Sequence, residues 1–285
     1  MLRVRPAAAA GARPVEHARC VGGGGGVAGT APGAHDALAT VPGAVRPRPG
    51  TGGPGRAGSP PVPAGAEAVS AVPVLEQIPT GPIGTNCYVY GDAEAGRGWV
   101  IDPGEDPAVI AEVLQHHGLA VEALVITHAH WDHVGAVRAL RELTGAPFLV
   151  PEGEVEDLRA AATRAQLMGV YIDPPPDPDG LLRDGDSLQA GALQLRVLHA
   201  PGHTPGHVIL VGEGLAFVGD VVFAGSVGRT DLPGGDWQTL AQTLRTKILA
   251  LPDDTVLYPG HGPSTTVGRE RTSNPFLVGL VETAG

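Results

Sequence analysis

The sequence predicts an α+β domain in which two β-sheets pack together with helices outside them. From Val74 onward, short apolar runs alternate with turns rich in Gly, Pro and Asp. Amphipathic helical segments follow groups of these runs, and the second half repeats the strand-then-helix organisation of the first. We expect one domain over residues 74–285, preceded by a tail over residues 1–73.

The tail differs from the rest of the chain in composition. It contains 15 Gly and 11 Pro, including GGGGG at 22–26 and RPRPGTGGPGRAGSPP at 46–61. Because it has too few large apolar side chains to offset the entropy of ordering, we predict that it is disordered. Val69, Val72 and Val74 lie where the first strand should begin. One hypothesis is that translation starts there, at a valine-type start codon.

Charge narrows the class of protein. Seven Arg against three acidic residues give the tail a net charge of +4, and 12 basic against 27 acidic residues give residues 74–285 a net charge of −15. An acidic body repels phosphate backbones, so we expect no nucleic-acid partner. No apolar run reaches the roughly 18 residues of a membrane span, and no apolar segment resembles a signal peptide. We therefore expect no membrane partner. Since the sequence contains only Cys20 and Cys87, we also expect a cytoplasmic protein without disulfides.

The first half begins with three predicted strands: VLEQI at 74–78, NCYVYG at 86–91 and GWVID at 98–102. A helix follows in DPAVIAEVLQHHG. Asp106 is its predicted N-cap, Pro107 its first residue, and Gly118 lies past its end. Its core face would comprise Ile110, Val113 and Leu114.

A continuous apolar run, EALVIT at 122–127, is typical of a strand covered on both faces. After this strand, apolar residues recur at helical spacing, which predicts a helix that begins at His133. Its core face would comprise Val134, Val137, Leu140 and Leu143. PFLVP at 147–151 predicts the next strand, followed by a helix within 152–168 and a Pro-rich loop.

The second half has three more predicted strands: LQLRVLHA at 193–200, HVILVG at 207–212 and LAFVGD at 215–220. Asp236 is the predicted N-cap of the helix WQTLAQTLRTKILAL at 237–251. The core face of that helix would comprise Trp237, Leu240, Leu244 and Ile248. TVLYPGHG at 255–262 predicts a last strand and loop, and NPFLVGL at 274–280 a closing helix.

The segment THAHWDH at 127–133 places three His and one Asp at the end of a predicted strand. Residues two apart in an extended chain point the same way, so His128 and His130 can reach one metal ion. The turn into the helix can direct Asp132 and His133 toward a second position. Imidazole and carboxylate groups are ligands that zinc and iron accept. One such residue alone would indicate a solvated loop, but four in six positions predict a metal site.

Four residues cannot complete two coordination shells, so the hypothesis requires distant partners. Three candidates each follow an apolar strand: His203 in APGHTPGH, Asp220 in FVGD and His261 in YPGHG. Neighbouring Gly and Pro let the backbone approach a crowded site. His199 and His207 flank His203. We expect both to be structural, with one of them donating a ring N–H to a ligand or substrate as the alternative.

In this order, THAHWDH, GHTPGH, FVGD and PGHG resemble the motifs of the metallo-beta-lactamase superfamily. GRTDLPGGDW at 228–237 and GRERTSNPFL at 268–277 narrow the resemblance to the short glyoxalase II-like metallohydrolases. The resemblance runs from about residue 74 to the C-terminus. It implies a four-layer αββα sandwich with a two-metal site in the cleft between the sheets. The implied ligands are His128, His130 and His203 for one metal, Asp132, His133 and His261 for the other, and Asp220 as the bridge.

The activity that the resemblance implies is hydrolysis of a small-molecule thioester by hydroxide from two divalent ions. Zinc is expected, with iron and manganese as alternatives. Asp132 would orient the hydroxide as well as bind metal. Arg229 would hold a substrate carboxylate or, equally well, brace its loop against Asp231. Glyoxalase II enzymes carry a helical extension that holds glutathione, but only 24 residues follow His261, so a different thiol is an alternative.

Other functions stay open on the same fold. A persulfide dioxygenase would use one iron and the equivalents of His128, His203 and Asp220, whereas all seven candidate ligands are present here. A lactonase or beta-lactamase would differ in the pocket, and a nuclease would need a basic groove. A structural metal site is least favoured because such sites are closed by four ligands, usually rich in Cys. The sequence does not indicate an oligomeric state.

Overall fold

The computed structural model describes residues 72–282. Residues 1–71, which include most of the tail that we predict to be disordered, lie outside the described residues. The disorder, the valine start and the domain boundary stay predictions. The strands are β1 (Pro73–Thr80), β2 (Thr85–Asp92), β3 (Arg97–Ile101), β4 (Ala120–Val125), β5 (Phe148–Pro151), β6 (Gly180–Leu182), β7 (Ser187–Ala190), β8 (Leu193–His199), β9 (Val208–Gly212), β10 (Leu215–Gly219), β11 (Val222–Phe223), β12 (Ser226–Val227), β13 (Val256–Pro259) and β14 (Thr265–Thr266).

The α-helices are α1 (Pro107–His117), α2 (Val137–Thr144), α3 (Val155–Leu167), α4 (Trp237–Thr243), α5 (Val267–Ser273) and α6 (Pro275–Glu282). Short 3₁₀ turns at Trp131–His133 and Glu152–Glu154 precede α2 and α3, and a π-helical turn at Leu244–Ile248 continues α4. None of the helices in the described part of the chain has the length and apolar character needed to cross a membrane.

The strands form two six-stranded sheets. The first sheet has the order β1-β2-β3-β4-β5-β6, and its last four strands run parallel. The second has the order β14-β13-β10-β9-β8-β7, in which β13 and β10 are parallel and the other neighbours antiparallel. Strands β8, β10 and β13 therefore end at the same edge of the second sheet, which matters for the candidate site.

Three apolar layers separate four layers of secondary structure, as expected for an αββα sandwich. Side chains alternate between layers because successive residues of a strand face opposite sides of the sheet. In β2, Val89 packs toward α1, α2 and α3, whereas Tyr88 packs between the sheets against Phe217 of β10. In the second sheet, Val218 of β10 packs outward against Leu240 of α4. The helices thus cover both outer faces.

Several local predictions differ from the structure. Asp106 precedes α1 as predicted, but its backbone is left-handed with φ 55°, and its carboxylate accepts from the Gly81 amide instead of capping the helix. The prediction that Leu143 lies in the core is wrong. Leu143 is 65% exposed because it lies off the helix face that buries Val137 and Leu140. Trp237 is 41% exposed at the start of α4.

Candidate metal centre

The candidate ligands lie where strands of both sheets end. THAHWDH follows β4 of the first sheet. His203 follows β8, Asp220 follows β10 and His261 follows β13 of the second. Because β8, β10 and β13 end at one edge, their following loops converge on the THAHWDH loop. The structure brings all seven predicted ligands into two adjacent groups.

The first group contains His128, His130, His203 and Asp220, whose donor atoms lie within 4.8 Å of one another. His130 Nδ1 is 3.0 Å from both His128 Nε2 and His203 Nε2. Zinc bonds of 2.0–2.1 Å in tetrahedral geometry would separate neighbouring ligand atoms by about 3.3 Å. The spacing therefore suits a small divalent cation.

The second group contains Asp132, His133 and His261. Asp132 Oδ2 lies 3.4 Å from His133 Nε2 and 3.3 Å from His261 Nε2. The Thr85 hydroxyl donates a hydrogen bond of 2.8 Å to the same carboxylate oxygen, which fixes the orientation of Asp132. This group has the spacing of the first but different chemistry, since a carboxylate replaces one imidazole.

Asp220 lies between the two groups. Its Oδ1 atom is 3.6 Å from His133 Nε2, while its Oδ2 atom is 3.5 Å from His203 Nε2 and 3.7 Å from His261 Nε2. Asp220 is thus the residue of the described chain whose two carboxylate oxygens face both groups. This is the arrangement expected of a bridging ligand.

Two buried atoms test whether the residues fit a metal. His133 Nε2 and Asp220 Oδ1 are buried and have no hydrogen-bond partner in the described residues. An unsatisfied buried polar atom costs about 1–3 kcal/mol, so two facing atoms in this state need an explanation. Divalent cations bind both imidazole nitrogen and carboxylate oxygen. The donor set fits a metal.

Neighbouring groups orient the imidazole rings. The carbonyl oxygen of Arg229 accepts from His203 Nδ1 over 2.8 Å, which leaves His203 Nε2 free to bind metal. The Thr127 hydroxyl donates to Asp102, so its oxygen can accept from His128 Nδ1 at 3.1 Å and leave His128 Nε2 free in the same way. Both rings present a lone pair to the first group.

Asp102, directly after β3, supports both groups. Its Oδ1 atom accepts from the Thr127 amide over 2.6 Å, and its Oδ2 atom accepts from the Thr127 hydroxyl and lies 3.1 Å from His133 Nδ1. Asp102 is buried, and its backbone is left-handed with φ 51°. Such a conformation is unfavourable for a residue other than Gly, so the surrounding contacts must hold it.

Burial and charge divide the histidines into two classes. Burial and the neighbouring rings lower the pKa of His128 well below its usual range and that of His130 to about 3. Burial also opposes a charge on His133, but the carboxylates of Asp132, Asp102 and Asp220 outweigh it and raise the pKa of His133 to about 10. Without a cation, the second group therefore holds a buried proton, and the first does not.

Asp132 remains ionised in this surrounding. Burial alone would raise the pKa of its carboxyl group, but the charge of His133 and hydrogen bonds from His261 and Thr85 hold it well below the usual range. The carboxylate is therefore in the form that binds a cation or accepts a proton.

Glu154 joins the loops that carry the first group. Its buried carboxylate accepts from the Ala129 amide over 2.9 Å, the Thr204 hydroxyl over 2.6 Å and the Gly206 amide over 2.8 Å. Ala129 lies between two ligands of THAHWDH, and Thr204 follows His203. Glu154 therefore fixes the distance between His130 and His203.

His207 supports the backbone of Asp220. Its ring is buried and stacks on His128 with 4.8 Å between centroids, and its Nε2 atom accepts from the Asp220 amide over 3.1 Å. This geometry favours the alternative that one of the two flanking histidines orients a ligand residue. We expected such a histidine to donate a ring N–H, whereas His207 accepts a hydrogen bond. His199 is exposed and donates to the Pro205 carbonyl, as expected of a structural residue.

Three glycines let the backbone pack against the ligands. A Cβ atom at Gly228 would overlap the Asp220 carbonyl, one at Gly260 would overlap the Asp220 carboxylate, and one at Gly104 would overlap the Asp132 carbonyl. In each case the overlap is with an atom of a ligand residue and lies well inside van der Waals contact. The loops can close around the site only because these positions lack side chains.

A cleft of about 690 Å³ opens onto the two groups. Ligands from both groups line it, including His130, Asp132, His203, Asp220 and His261. Arg229 lines it as well, but its guanidinium donates two hydrogen bonds, of 2.7 and 2.8 Å, to Asp231. Of the two roles predicted for Arg229, the structure contains the brace to Asp231.

Sequence reasoning missed Asp102 and Glu154. A polar residue directly after an apolar strand was the signal used for Asp220, and the same signal was present in GWVID for Asp102. Glu154 has no such signal, since it lies between Glu152 and Glu156 in a polar segment. Only the folded chain distinguishes it from its exposed neighbours.

Comparison with known proteins places the chain in a family. Residues 80–261 match the metallo-beta-lactamase superfamily. Hydroxyacylglutathione hydrolase GloC of Haemophilus influenzae is 36% identical over 212 residues, which cover 71% of this chain and 97% of the relative. The probable metallo-hydrolase YqgX of Bacillus subtilis is 36% identical over 209 residues, covering 72% of this chain and 97% of the relative.

Solved structures agree with this placement. BLEG-1 B3 metallo-beta-lactamase is 40% identical with a TM-score of 0.67, covering 72% of this chain and 99% of that chain. TTHA1623 in a di-iron-bound form is 39% identical with a TM-score of 0.66, covering 70% of this chain and 99% of that chain. ETHE1 from Myxococcus xanthus is 26% identical with a TM-score of 0.60, covering 74% and 91%. The chain therefore belongs to the metallo-beta-lactamase superfamily.

Proposed function

We propose that this chain is a binuclear metal-dependent hydrolase of small-molecule thioesters. The observation that carries the proposal is the pair of ligand groups sharing Asp220 at the floor of an open cleft. A site closed by protein ligands would serve structure, whereas ligands that face a cleft leave room for water and substrate. The net charge of −15 over residues 74–285 favours a small molecule over a nucleic acid.

The seven residues would hold two divalent cations, and we propose zinc, with iron as the alternative because a similar solved structure is a di-iron form. Cations bound there would lower the pKa of a water molecule and polarise a carbonyl group. Asp132 lines the cleft as an ionised carboxylate. It can therefore accept a hydrogen bond from the attacking water and orient it toward the substrate.

The residues lining the cleft favour a leaving group that departs as an anion. Among the described residues, the lining contains no Ser or Cys nucleophile and no Lys or Tyr that could protonate a leaving group, while its His residues belong to the ligand groups. A thiolate leaves without a proton far more easily than an alkoxide or an amine, because thiols are much stronger acids. The name of the Haemophilus relative, a hydroxyacylglutathione hydrolase, supports the same class of bond.

The alternative is a mononuclear-iron persulfide dioxygenase. The three residues expected for it, His128, His203 and Asp220, belong to the first group, and the fold resembles that of ETHE1. The complete second group supports the binuclear hydrolase over this alternative. A lactonase or another ester hydrolase would use the same two groups with a different leaving group.

The test combines elemental analysis of protein purified without added metal with a thiol-release assay on S-lactoylglutathione and S-acetyl-N-acetylcysteamine. We expect about two metal ions per chain and thiol release. Asp132→Ala should abolish release while circular dichroism shows a folded protein. One iron per chain, no thiol release and oxygen uptake with a persulfide would favour the dioxygenase. Loss of folding together with metal in Asp132→Ala would indicate a structural site.

A further inference from the structure

The walls of the cleft differ in chemistry from its floor. The floor consists of metal ligands, whereas the walls come from the β1–β2 turn, the end of α3, the β11–β12 hairpin and the loop before α4. The apolar side chains on these walls include Ile83, Leu167, Met168, Phe223, Val227 and Leu232. A substrate whose reacting group reaches the floor must lay its remaining atoms against these walls.

Three of the wall residues have large apolar side chains that are more than half exposed to water. Leu167 is 83%, Met168 68% and Ile83 53% exposed. Apolar side chains gathered around a concave site gain free energy when a ligand removes them from water, which is why such patches mark binding surfaces. Leu143 on α2 is also exposed but does not line the cleft. It therefore provides a matched reference.

The charged groups on the walls are compensated within the chain. Two guanidinium groups line the cleft: Arg164 forms an ion pair with Asp157, and Arg229 is held by Asp231 through two hydrogen bonds. Asp157 and Asp231 already neutralise much of the charge on these two guanidinium groups, so a substrate carboxylate that contacts either of them gains little net free energy. The walls therefore give anionic groups little attraction.

We propose that the cleft selects thioesters with an apolar, uncharged arm next to the scissile bond, such as an alkyl or aryl group. This inference rests on the proposed thioesterase activity and specifies its substrate class. S-Lactoylglutathione, which carries two carboxylates and an ammonium group on its thiol arm, is then a poor substrate. The apolar arm belongs to either the acyl or the thiol side, and two substrate series distinguish these sources.

The first experiment measures kcat/KM of the zinc-loaded enzyme by thiol release. One series extends the acyl group of N-acetylcysteamine thioesters from acetyl to octanoyl, and the other extends the thiol of acetyl thioesters from ethanethiol to hexanethiol. We expect kcat/KM to rise about fourfold per methylene in at least one series, since a methylene removed from water contributes a factor of this size. S-Lactoylglutathione should react at least tenfold more slowly than the best apolar substrate. Flat profiles in both series, or a preference for S-lactoylglutathione, would overturn the proposal.

Variants locate the effect on the walls. Leu167→Ser combined with Met168→Ser should flatten the chain-length profile, whereas Leu143→Ser should leave it unchanged. Asp231→Asn releases Arg229 and should raise kcat/KM for S-lactoylglutathione severalfold without changing that for neutral thioesters. An unchanged profile in the double variant would assign the selectivity to another surface and contradict the proposal.

A binding measurement separates this proposal from the activity. Calorimetry with non-hydrolysable thioether analogues should give dissociation constants that fall with alkyl length in the wild type but not in the double variant. If this trend is found while no thioester releases thiol, the apolar selectivity stands and the thioesterase proposal fails. If thiol is released but neither rates nor dissociation constants depend on alkyl length, the thioesterase proposal stands and the apolar selectivity fails.

Discussion

The two candidate metal positions have similar spacing, but without a cation the histidines of the first are neutral and the second holds a positively charged one. In the first group, burial lowers the pKa of His128 and His130, so both rings are neutral. In the second group, His133 keeps a proton because three carboxylates surround it. A buried imidazolium facing Asp132, Asp102 and Asp220 carries the charge that a divalent cation would otherwise supply.

This difference shows that the positions depend on different parts of the chain. The first is built mainly of neutral imidazoles, whose separation Glu154 controls. The second is built around carboxylates, whose mutual repulsion requires a positive charge. Variants that affect one position, both positions, or their charge can therefore test whether the two positions are independent.

The largest effect is expected from Asp220→Ala, which removes the carboxylate that faces both groups. Both metal affinities should fall, and thiol release should drop by roughly 10³-fold or more because the two ions act together. Elemental analysis and initial rates measure these effects. Asp177→Ala, at an exposed aspartate before β6, is the control and should keep both metals. Retention of both metals in Asp220→Ala would exclude a bridging role.

His261→Ala should remove the second metal alone. Within the described residues, His261 faces Asp132 and Asp220 and makes no contact with His128 or His130. The metal content should fall from two ions to about one, with a loss of hydrolysis on the order of 10²-fold. Metal analysis after dialysis provides the measurement. If both ions were lost together, the two positions would form one cooperative unit instead of two independent sites.

Glu154→Gln should weaken the first position while leaving the second intact. The amide presents a donor where one of three hydrogen-bond donors points, so the free energy of unfolding should fall by about 1–3 kcal/mol. Affinity for the first metal should fall 10- to 100-fold, as for other residues that orient ligands. Chelator competition and urea denaturation measure the two effects. Glu156→Gln, at an exposed neighbour, should change neither, and equal weakening of both positions by Glu154→Gln would argue against a selective role.

The smallest effect concerns protons. The pKa of His133 is raised to about 10, so metal binding at the second position must displace a proton below that pH. Binding there should release at least one proton, since the burial of His261 is outweighed by its hydrogen bond to Asp132, which raises the pKa of His261 as well. Affinity should weaken about tenfold for each unit by which pH falls from 9 to 7. The first position should release almost none, because His128 and His130 are already neutral. An indicator dye in weakly buffered metal-free protein measures the release, and equal release at both positions would refute the assigned charges.

The sequence predicted which residues gather in the two groups, because each follows an apolar strand and strands that run in the same direction end at one edge of a sheet. His203, Asp220 and His261 were found in this way. The strands β6, β7, β11, β12 and β14 were not predicted, since they are only two to four residues long and too short to show a strand pattern. Pairing with neighbours, not local propensity, makes them strands.

Predictions failed where a residue's role depends on tertiary contacts. Leu143 continues the three-residue spacing of Val137 and Leu140, but in the folded helix it lies off the face that those two residues bury. Glu154 is chemically the same as its neighbours and acquires its role only when the loops around Ala129 and Thr204 meet. Asp106 has the chemistry of an N-cap, but a second loop offers its carboxylate the Gly81 amide.

The glycines against the ligands set a limit on how this sequence can vary. Gly104, Gly228 and Gly260 carry no chemistry, yet even the methyl group of Ala at any of them would push on Asp132 or Asp220. In a saturation mutagenesis screen scored for activity, these three positions should tolerate as few substitutions as the ligands themselves. By contrast, Gly279 in α6 has open space around it and a backbone conformation that other residues adopt, so it should tolerate substitution. Intolerance to substitution would therefore trace the outline of the site through residues that never touch its substrate.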